Sequence, residues 1–271
     1  MAVALDGGLT IEPTKERVGV VLAASSGLGL GCADALASVG VRLVICARKR
    51  DGVDAAVASL QARGATVFGT TTDVSDPVQL AELFEFVDAT FGRLDVLVIN
   101  AGGPPPGRIL ELDDDSWHKA FDLTFMSVIR SMRHAVPRMR VNSYGRIVVL
   151  GSSNVRQPNP QIALSSALRP GVAGAVKTLA IELAREGITV NMVSPGRIAT
   201  ERVRMLDEHT AKFEGATYES VRARSEGTIP AGHYGMPADV GGLVAFLASE
   251  QAGYITGQSI LVDGGLVSSL P

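Results

Sequence analysis

A glycine-rich turn near the start of the chain is the first place where residue type and spacing suggest chemistry. Ala23-Ala24-Ser25-Ser26-Gly27-Leu28-Gly29 follows a short apolar run and leads into a helical pattern. Glycines at 27 and 29 let the backbone approach a pyrophosphate and let a helix pack closely, while the helix N-terminus offers free N–H groups to phosphate. Taken alone, the turn is a weak signal, and a plain strand–helix connection is the other reading. The next apolar run ends Cys46-Ala47-Arg48. An acid at the strand end would bond a ribose 2′-hydroxyl. Ala47 stands there instead, and the base that follows, Arg48, can pair with a 2′-phosphate. Asp73-Val74 can bond an adenine edge, and the small residues of Asn100-Ala101-Gly102 let a cofactor lie close. These sites point to a dinucleotide, with NADP(H) favoured over NAD(H).

The elements that must position these residues alternate regularly. Strands are expected at 18–22, 42–46, 66–69, 94–99, 147–150, 189–193 and 259–262, with helices at 28–39, 52–62, 77–91, 116–139, 163–185 and 238–247. Pro77 opens one helix and Gly92 follows its end, the usual start and stop signals. Such alternation predicts an α/β fold: a single doubly wound Rossmann domain over 18–271, with a parallel sheet flanked by helices on both faces, after an N-terminal extension at 1–17. Residues 200–235 are polar and weakly patterned, so an irregular substrate lid is expected there.

Bulk properties narrow the partners. Net charge is −3 without a basic stripe, which argues against nucleic acid. No apolar stretch approaches the ~20 residues of a membrane helix, and the start of the chain lacks a signal-peptide pattern. A cytoplasmic location and a small-molecule substrate are the expectation. Cys32 and Cys46 have no metal-type spacing and lie in apolar segments, so buried reduced thiols and no metal site are expected.

Taken in order, these residues resemble the short-chain dehydrogenase/reductase family, and are similar to its 3-oxoacyl-ACP reductase-like members. The likeness runs from Val18 to Leu266. It rests on Ser25-Ser26-Gly27-Leu28-Gly29, Asp73-Val74, Asn100-Ala101-Gly102, Gly145-Arg146-Ile147-Val148 leading to Ser152, Asn191, Pro195-Gly196, Thr200, Gly257-Gln258-Ser259 and Val262-Asp263-Gly264-Gly265. The resemblance implies that Pro195, Gly196, Ile198 and Thr200 hold the nicotinamide. It treats Ala23, a glycine in the family, as a mild change. It also implies a homo-oligomer, dimer or tetramer, with the apolar tail Gly265-Leu266-Val267 to Leu270-Pro271 compatible with an interface.

The family's catalytic tetrad is Asn, Ser, Tyr and Lys. Carried over by position, its serine is Ser152, but Ser165 stands for the tyrosine, Arg169 for the lysine and Thr124 for the asparagine. Residues 165 and 169 still share a helical face. A serine oxygen falls roughly 4 Å short of a tyrosine oxygen, a gap that a water can bridge. Serine is too weak an acid to replace a phenol, and arginine is no acid either. Ser152, Ser165 and Arg169 can instead stabilise an alkoxide, with water supplying the proton. Tyr144 sits at the wrong end of its strand to serve as an acid. Tyr218, His209, His233 and Tyr234 lie in or near the lid, Arg156 offers a site for an acidic substrate, and Gly103-Pro104-Pro105-Pro106-Gly107 shapes the pocket. The leading expectation is an NADP(H)-dependent oxidoreductase on a carbonyl or alcohol with an atypical centre. A catalytically silent NADP-binding sensor or partner protein, and a non-redox enzyme on the same scaffold, stay open.

Overall fold

Seven short runs, mostly of β-branched and aliphatic residues, build one wholly parallel sheet. In the computed structural model, which describes residues 3–4, 10–11 and 17–269, they are β1 (Val18–Val21), β2 (Arg42–Ala47), β3 (Val67–Thr71), β4 (Val96–Ile99), β5 (Gly145–Leu150), β6 (Ile188–Pro195) and β7 (Ser259–Val262). The central strands are buried along their whole length because helices cover both faces, and unbroken apolar runs such as Val-Leu-Val-Ile in β4 suit that setting. The order in space is β3-β2-β1-β4-β5-β6-β7. The chain therefore reverses direction across the sheet between β1 and β4, and a crevice opens at their carboxyl ends.

Helices α1 (Gly27–Ser38), α2 (Arg50–Gln61) and α3 (Pro77–Phe91) link the first four strands. Beyond β4 come α4 (Asp114–Phe121), α5 (Ser127–Val141) and α6 (Ala163–Leu183), then α7 (Glu201–Glu214), α8 (Tyr218–Gly227) and α9 (Pro237–Leu247). One core layer packs α3, α5 and α6 around Phe84, Leu97 and Met139. The other packs α1, α2 and α9 around Leu36, Leu43 and Ile45. Strand bounds, and those of five of the six expected helices, match the sequence-based expectation to within two residues.

Two expectations need correction. The helix expected over 116–139 is three pieces, because Asp122–Met126 forms a π turn between α4 and α5. Ser127 N–H reaches back five residues to the Asp122 carbonyl, while the Ser127 hydroxyl donates to the Leu123 carbonyl. The segment expected to be irregular, 200–235, holds α7 and α8. Its weak patterning has a physical reason: α7 buries only Asp207 and Ala211, and α8 only Val221. Polar contacts hold it in place. Arg197 pairs with the buried Asp207 at 2.9 Å and donates to Ser225 Oγ, and the Tyr234 hydroxyl donates to the second Asp207 oxygen at 2.8 Å.

Both cysteines are buried and free, and burial pushes Cys32 up to about 12 and Cys46 up to about 11. Among the described residues no helix is long and apolar enough to cross a membrane, and no group of three or more His, Cys, Asp or Glu is placed to hold a metal. Most of the expected N-terminal extension, and the Leu270-Pro271 end of the tail, lie outside the described residues.

The position of α1 is set by its contact with α9. A Cβ on Gly31 would lie 2.7 Å from Pro237 Cβ and 2.8 Å from its carbonyl oxygen, and one on Gly241 would lie 2.5 Å from the Gly31 oxygen. Backbone atoms cannot move aside as a flexible side chain can. Gly31→Ala is therefore expected to destabilise the fold by about 1–3 kcal/mol. In urea denaturation this appears as a lower midpoint with an unchanged slope.

Candidate active site

A cleft of about 1480 Å³ runs along the carboxyl ends of the strands. Of the site residues named from sequence, all but Gly29 and Thr124 line it. Gly29 lies beneath its floor. A Cβ there would meet the Ala23 oxygen at 2.4 Å, Ala24 Cα at 2.8 Å and Asn100 Nδ2 at 2.9 Å. Asn100 uses that nitrogen to donate to the Ala23 carbonyl at 3.0 Å, tying the ends of β1 and β4 together.

The first turn of α1 is open toward the cleft. Ser26, at its start, is extended and gives no side-chain cap, and the first turn contains no acid. By contrast, α3, α4, α7 and α8 are capped by Asp76, Asp113, Thr200 and Thr217. A helix start with unpaired N–H groups, a glycine floor and no competing carboxylate suits an anion such as a pyrophosphate. Gly27 has φ +55°, in the left-handed region. At the end of β2, Ala47 is buried and Arg48 is exposed on the cleft wall, with no carboxylate within 4 Å among the described residues. Asp73 spends Oδ1 on Ser75 N–H and Oγ, leaving Oδ2 for a ligand, while Val74 is buried beside it. These residues fit a dinucleotide.

Ala23 is less benign than the sequence suggested. Its φ is +48°, a conformation that strains an L-residue. Ala23→Gly is expected to stabilise the protein by about 0.5–1 kcal/mol, the strain relieved being partly offset by the extra freedom of the unfolded chain. A rise in the melting temperature is the measurement.

At the other end of the cleft, Ser165 and Arg169 occupy successive turns of α6. Arg169 donates through Nε to Ser165 Oγ at 3.1 Å and through Nη1 to the Leu150 carbonyl at 2.9 Å. Burial, then the nearby charge of Arg202, pushes Arg169 down to about 10, so it remains a cation at neutral pH. Ser152 Oγ accepts from Asn154 N–H at 3.2 Å. Both serine oxygens accept an N–H, which leaves each O–H to donate. Thr124 is buried in the π turn, behind the cleft wall, and its Oγ1 has no hydrogen-bond partner. Asn154 Nδ2 is likewise buried without a partner.

Of the substitute acids named from sequence, His209 alone lines the cleft. The Tyr144 hydroxyl donates to the Ala248 carbonyl, and its ring lies under Arg17 and Arg146. Tyr234 is committed to Asp207, and His233 Nδ1 contacts the Tyr234 carbonyl. Tyr218 and Arg156 are off the cleft wall. Sequence reasoning missed Arg202, the second residue of α7. It lines the cleft and donates to the Pro104 carbonyl at 2.6 Å. Its proximity to the Gly103 loop is set by tertiary packing; the one local hint was its place just after Thr200.

The comparisons agree with this fold. A family model described as Enoyl-(Acyl carrier protein) reductase matches residues 22–267. The 3-oxoacyl-acyl-carrier-protein reductase of Escherichia coli (strain K12) is 33% identical over 250 residues, 92% of this chain and 97% of the relative. Among solved structures, an actinorhodin polyketide ketoreductase with NADPH superposes with a TM-score of 0.91 at 33% identity, covering 96% of this chain and 100% of the other. An NADPH-bound short chain oxidoreductase from Pseudomonas aeruginosa PAO1, described as containing an atypical catalytic center, superposes with a TM-score of 0.87 at 32% identity, with 96% and 100% covered. This chain belongs to the short-chain dehydrogenase/reductase family, and within it is similar to the 3-oxoacyl-ACP reductases.

Proposed function

We propose that this chain is an NADP(H)-dependent oxidoreductase of a carbonyl or alcohol substrate, working through an atypical Ser152–Ser165–Arg169 centre. The observation that carries the reading is the Arg169 Nε bond to Ser165 Oγ, which leaves the serine O–H polarised and free to donate into the cleft. The P. aeruginosa relative, NADPH-bound and itself described as atypical, supports it.

When bound, the nicotinamide supplies or accepts the hydride. Ser152 and Ser165 donate hydrogen bonds to the substrate oxygen, and the fixed Arg169 charge stabilises the negative charge that develops there. Arg169 also keeps a free Nη2 for ribose hydroxyls. The proton reaches the oxygen through water, since neither serine nor arginine is an adequate acid. Thr124 stands at the family's asparagine position, and its buried Oγ1 can take part in that relay only through a water that reaches it from the cleft. Ala23, Ser25, Ser26, Gly27, Leu28 and Gly29 form the phosphate cradle, and Arg48 takes the 2′-phosphate. Asp73 and Val74 flank the adenine, and Asn100, Ala101 and Gly102 form the floor. Pro195, Gly196, Ile198 and Thr200 hold the nicotinamide. Helices α7 and α8 form the substrate lid.

Calorimetric titration with NADPH and NADH, followed by NADPH oxidation over a panel of carbonyl compounds, tests the proposal. NADPH should bind more tightly, and Arg48→Ala should weaken it roughly 10–100-fold while leaving NADH nearly unaffected. Equal affinity for both nucleotides in the unaltered protein overturns the cofactor assignment. Binding without turnover on any carbonyl favours a silent NADP-binding protein. Ser165→Ala is expected to lower kcat by about 10²; an unchanged kcat removes Ser165 from the centre.

A further inference from the structure

We infer that the substrate carries a carboxylate, held in the cleft between the guanidinium groups of Arg169 and Arg202. This rests on reading the cleft as an oxidoreductase site.

The cleft is lined by several arginines, and most are accounted for. Arg197 is paired with Asp207, and Arg224 with Glu214. Arg48 and Arg108 are exposed. Arg169 and Arg202 are different. Both are partly buried, both line the cleft, and among the described residues neither has a carboxylate within 4 Å. Of the acids on the cleft wall, Glu214 holds Arg224 and Glu111 accepts the backbone N–H of Arg108, while Glu201 makes no ion pair with either arginine among the described residues.

The placement of Arg202 is built rather than incidental. Its guanidinium reaches from α7 across to the loop after β4 and lies against Gly103, where a Cβ would come within 3.1 Å of Nη2 and 3.2 Å of Nε. A side chain at 103 would press the guanidinium out of this position by a few tenths of an ångström or more. The loop itself is anchored, with Gly107 N–H donating to the Gln161 carbonyl at 2.8 Å and Ala163 N–H to the Gly107 carbonyl at 3.1 Å. One Arg202 donor is spent on Pro104, and among the described residues no hydrogen bond or ion pair takes the others. Arg169 spends Nε and one N–H of Nη1, leaving the two N–H of Nη2, one for a ribose hydroxyl and one for the carboxylate. Two partly desolvated cations, near enough that Arg202 adds to the lowering of Arg169, repel each other until an anion lies between them. Planar forks with spare N–H groups match the two oxygens of a carboxylate. The cofactor phosphates have their own donors at the α1 N-terminus and Arg48. The carboxylate would thus sit beside the serine hydroxyls that receive the carbonyl oxygen, which selects small oxo acids over neutral ketones.

The test is calorimetry on the NADPH-saturated protein with acetoacetate, 2-oxobutanoate and levulinate, each against its methyl ester, followed by NADPH oxidation with the same compounds. At least one acid should bind roughly 10–100-fold more tightly than its ester. Arg202→Gln should abolish that preference while the NADPH Kd stays within twofold, and Arg202→Lys should restore part of it. Gly103→Val, which leaves Arg202 in place chemically but displaces it, should weaken the acid as well. Equal binding of acids and esters at every chain length overturns the inference, as does an Arg202→Gln variant that loses NADPH rather than the acid. Acid-selective binding without NADPH oxidation would leave the carboxylate site standing and sink the oxidoreductase reading. Oxidation with the esters alone would do the reverse.

Discussion

The cleft depends on a contact that admits no side chain. At Gly29 the first helix comes so close to the ends of β1 and β4 that a Cβ would lie 2.4 Å from the Ala23 oxygen. That approach brings the open turn of α1 over the crevice. It also leaves room for Asn100 to tie the two strand ends together, and the switch in strand order supplies the crevice itself. On the far side of α1, Gly31 and Gly241 permit an equally close approach to α9. The helix is thus gripped from both sides by backbone, and its open first turn inherits that rigidity.

At the other end of the cleft, electrostatics takes over from packing. Arg169 is fixed by Ser165 and the Leu150 carbonyl, and its charge is kept in a setting that disfavours it. A tyrosine–lysine pair concentrates proton transfer in one ionisable phenol. In the proposed centre the serine–arginine pair separates the tasks: it offers strong donors to a developing negative charge and leaves the proton to solvent. The proposed carboxylate site draws on the same Arg169 charge, which would give the chemistry and the choice of substrate one origin.

The nucleotide half of this arrangement was legible in sequence because close backbone approach admits only small residues, and small residues at fixed spacing leave a mark. Arg48 at a strand end and the four-residue spacing of Ser165 and Arg169 were legible for similar geometric reasons. Other features left no such mark. A π turn has no residue signature, so Thr124 was placed on an unbroken helix. The helices α7 and α8 bury three side chains between them, too few to give a period, and their caps Thr200 and Thr217 were the signals that remained. Ala23 looked like a small change until its φ of +48° showed what the position demands. Arg202 acquires its meaning only when the lid meets Gly103 and Pro104.

The manner in which α7 and α8 are attached has a consequence for local opening. The sheet is held by wide apolar layers, whereas this segment is held largely by directional polar contacts: Asp207 shared by Arg197 and Tyr234, Arg197 with Ser225, and Arg202 with the Pro104 carbonyl. Both bonds to Asp207 are lost when that one carboxylate moves. With few buried apolar side chains, α7 and α8 are the part of the chain expected to open locally, below the free energy of global unfolding. The amides of such a unit would exchange with solvent as one group while the strands beneath stay protected.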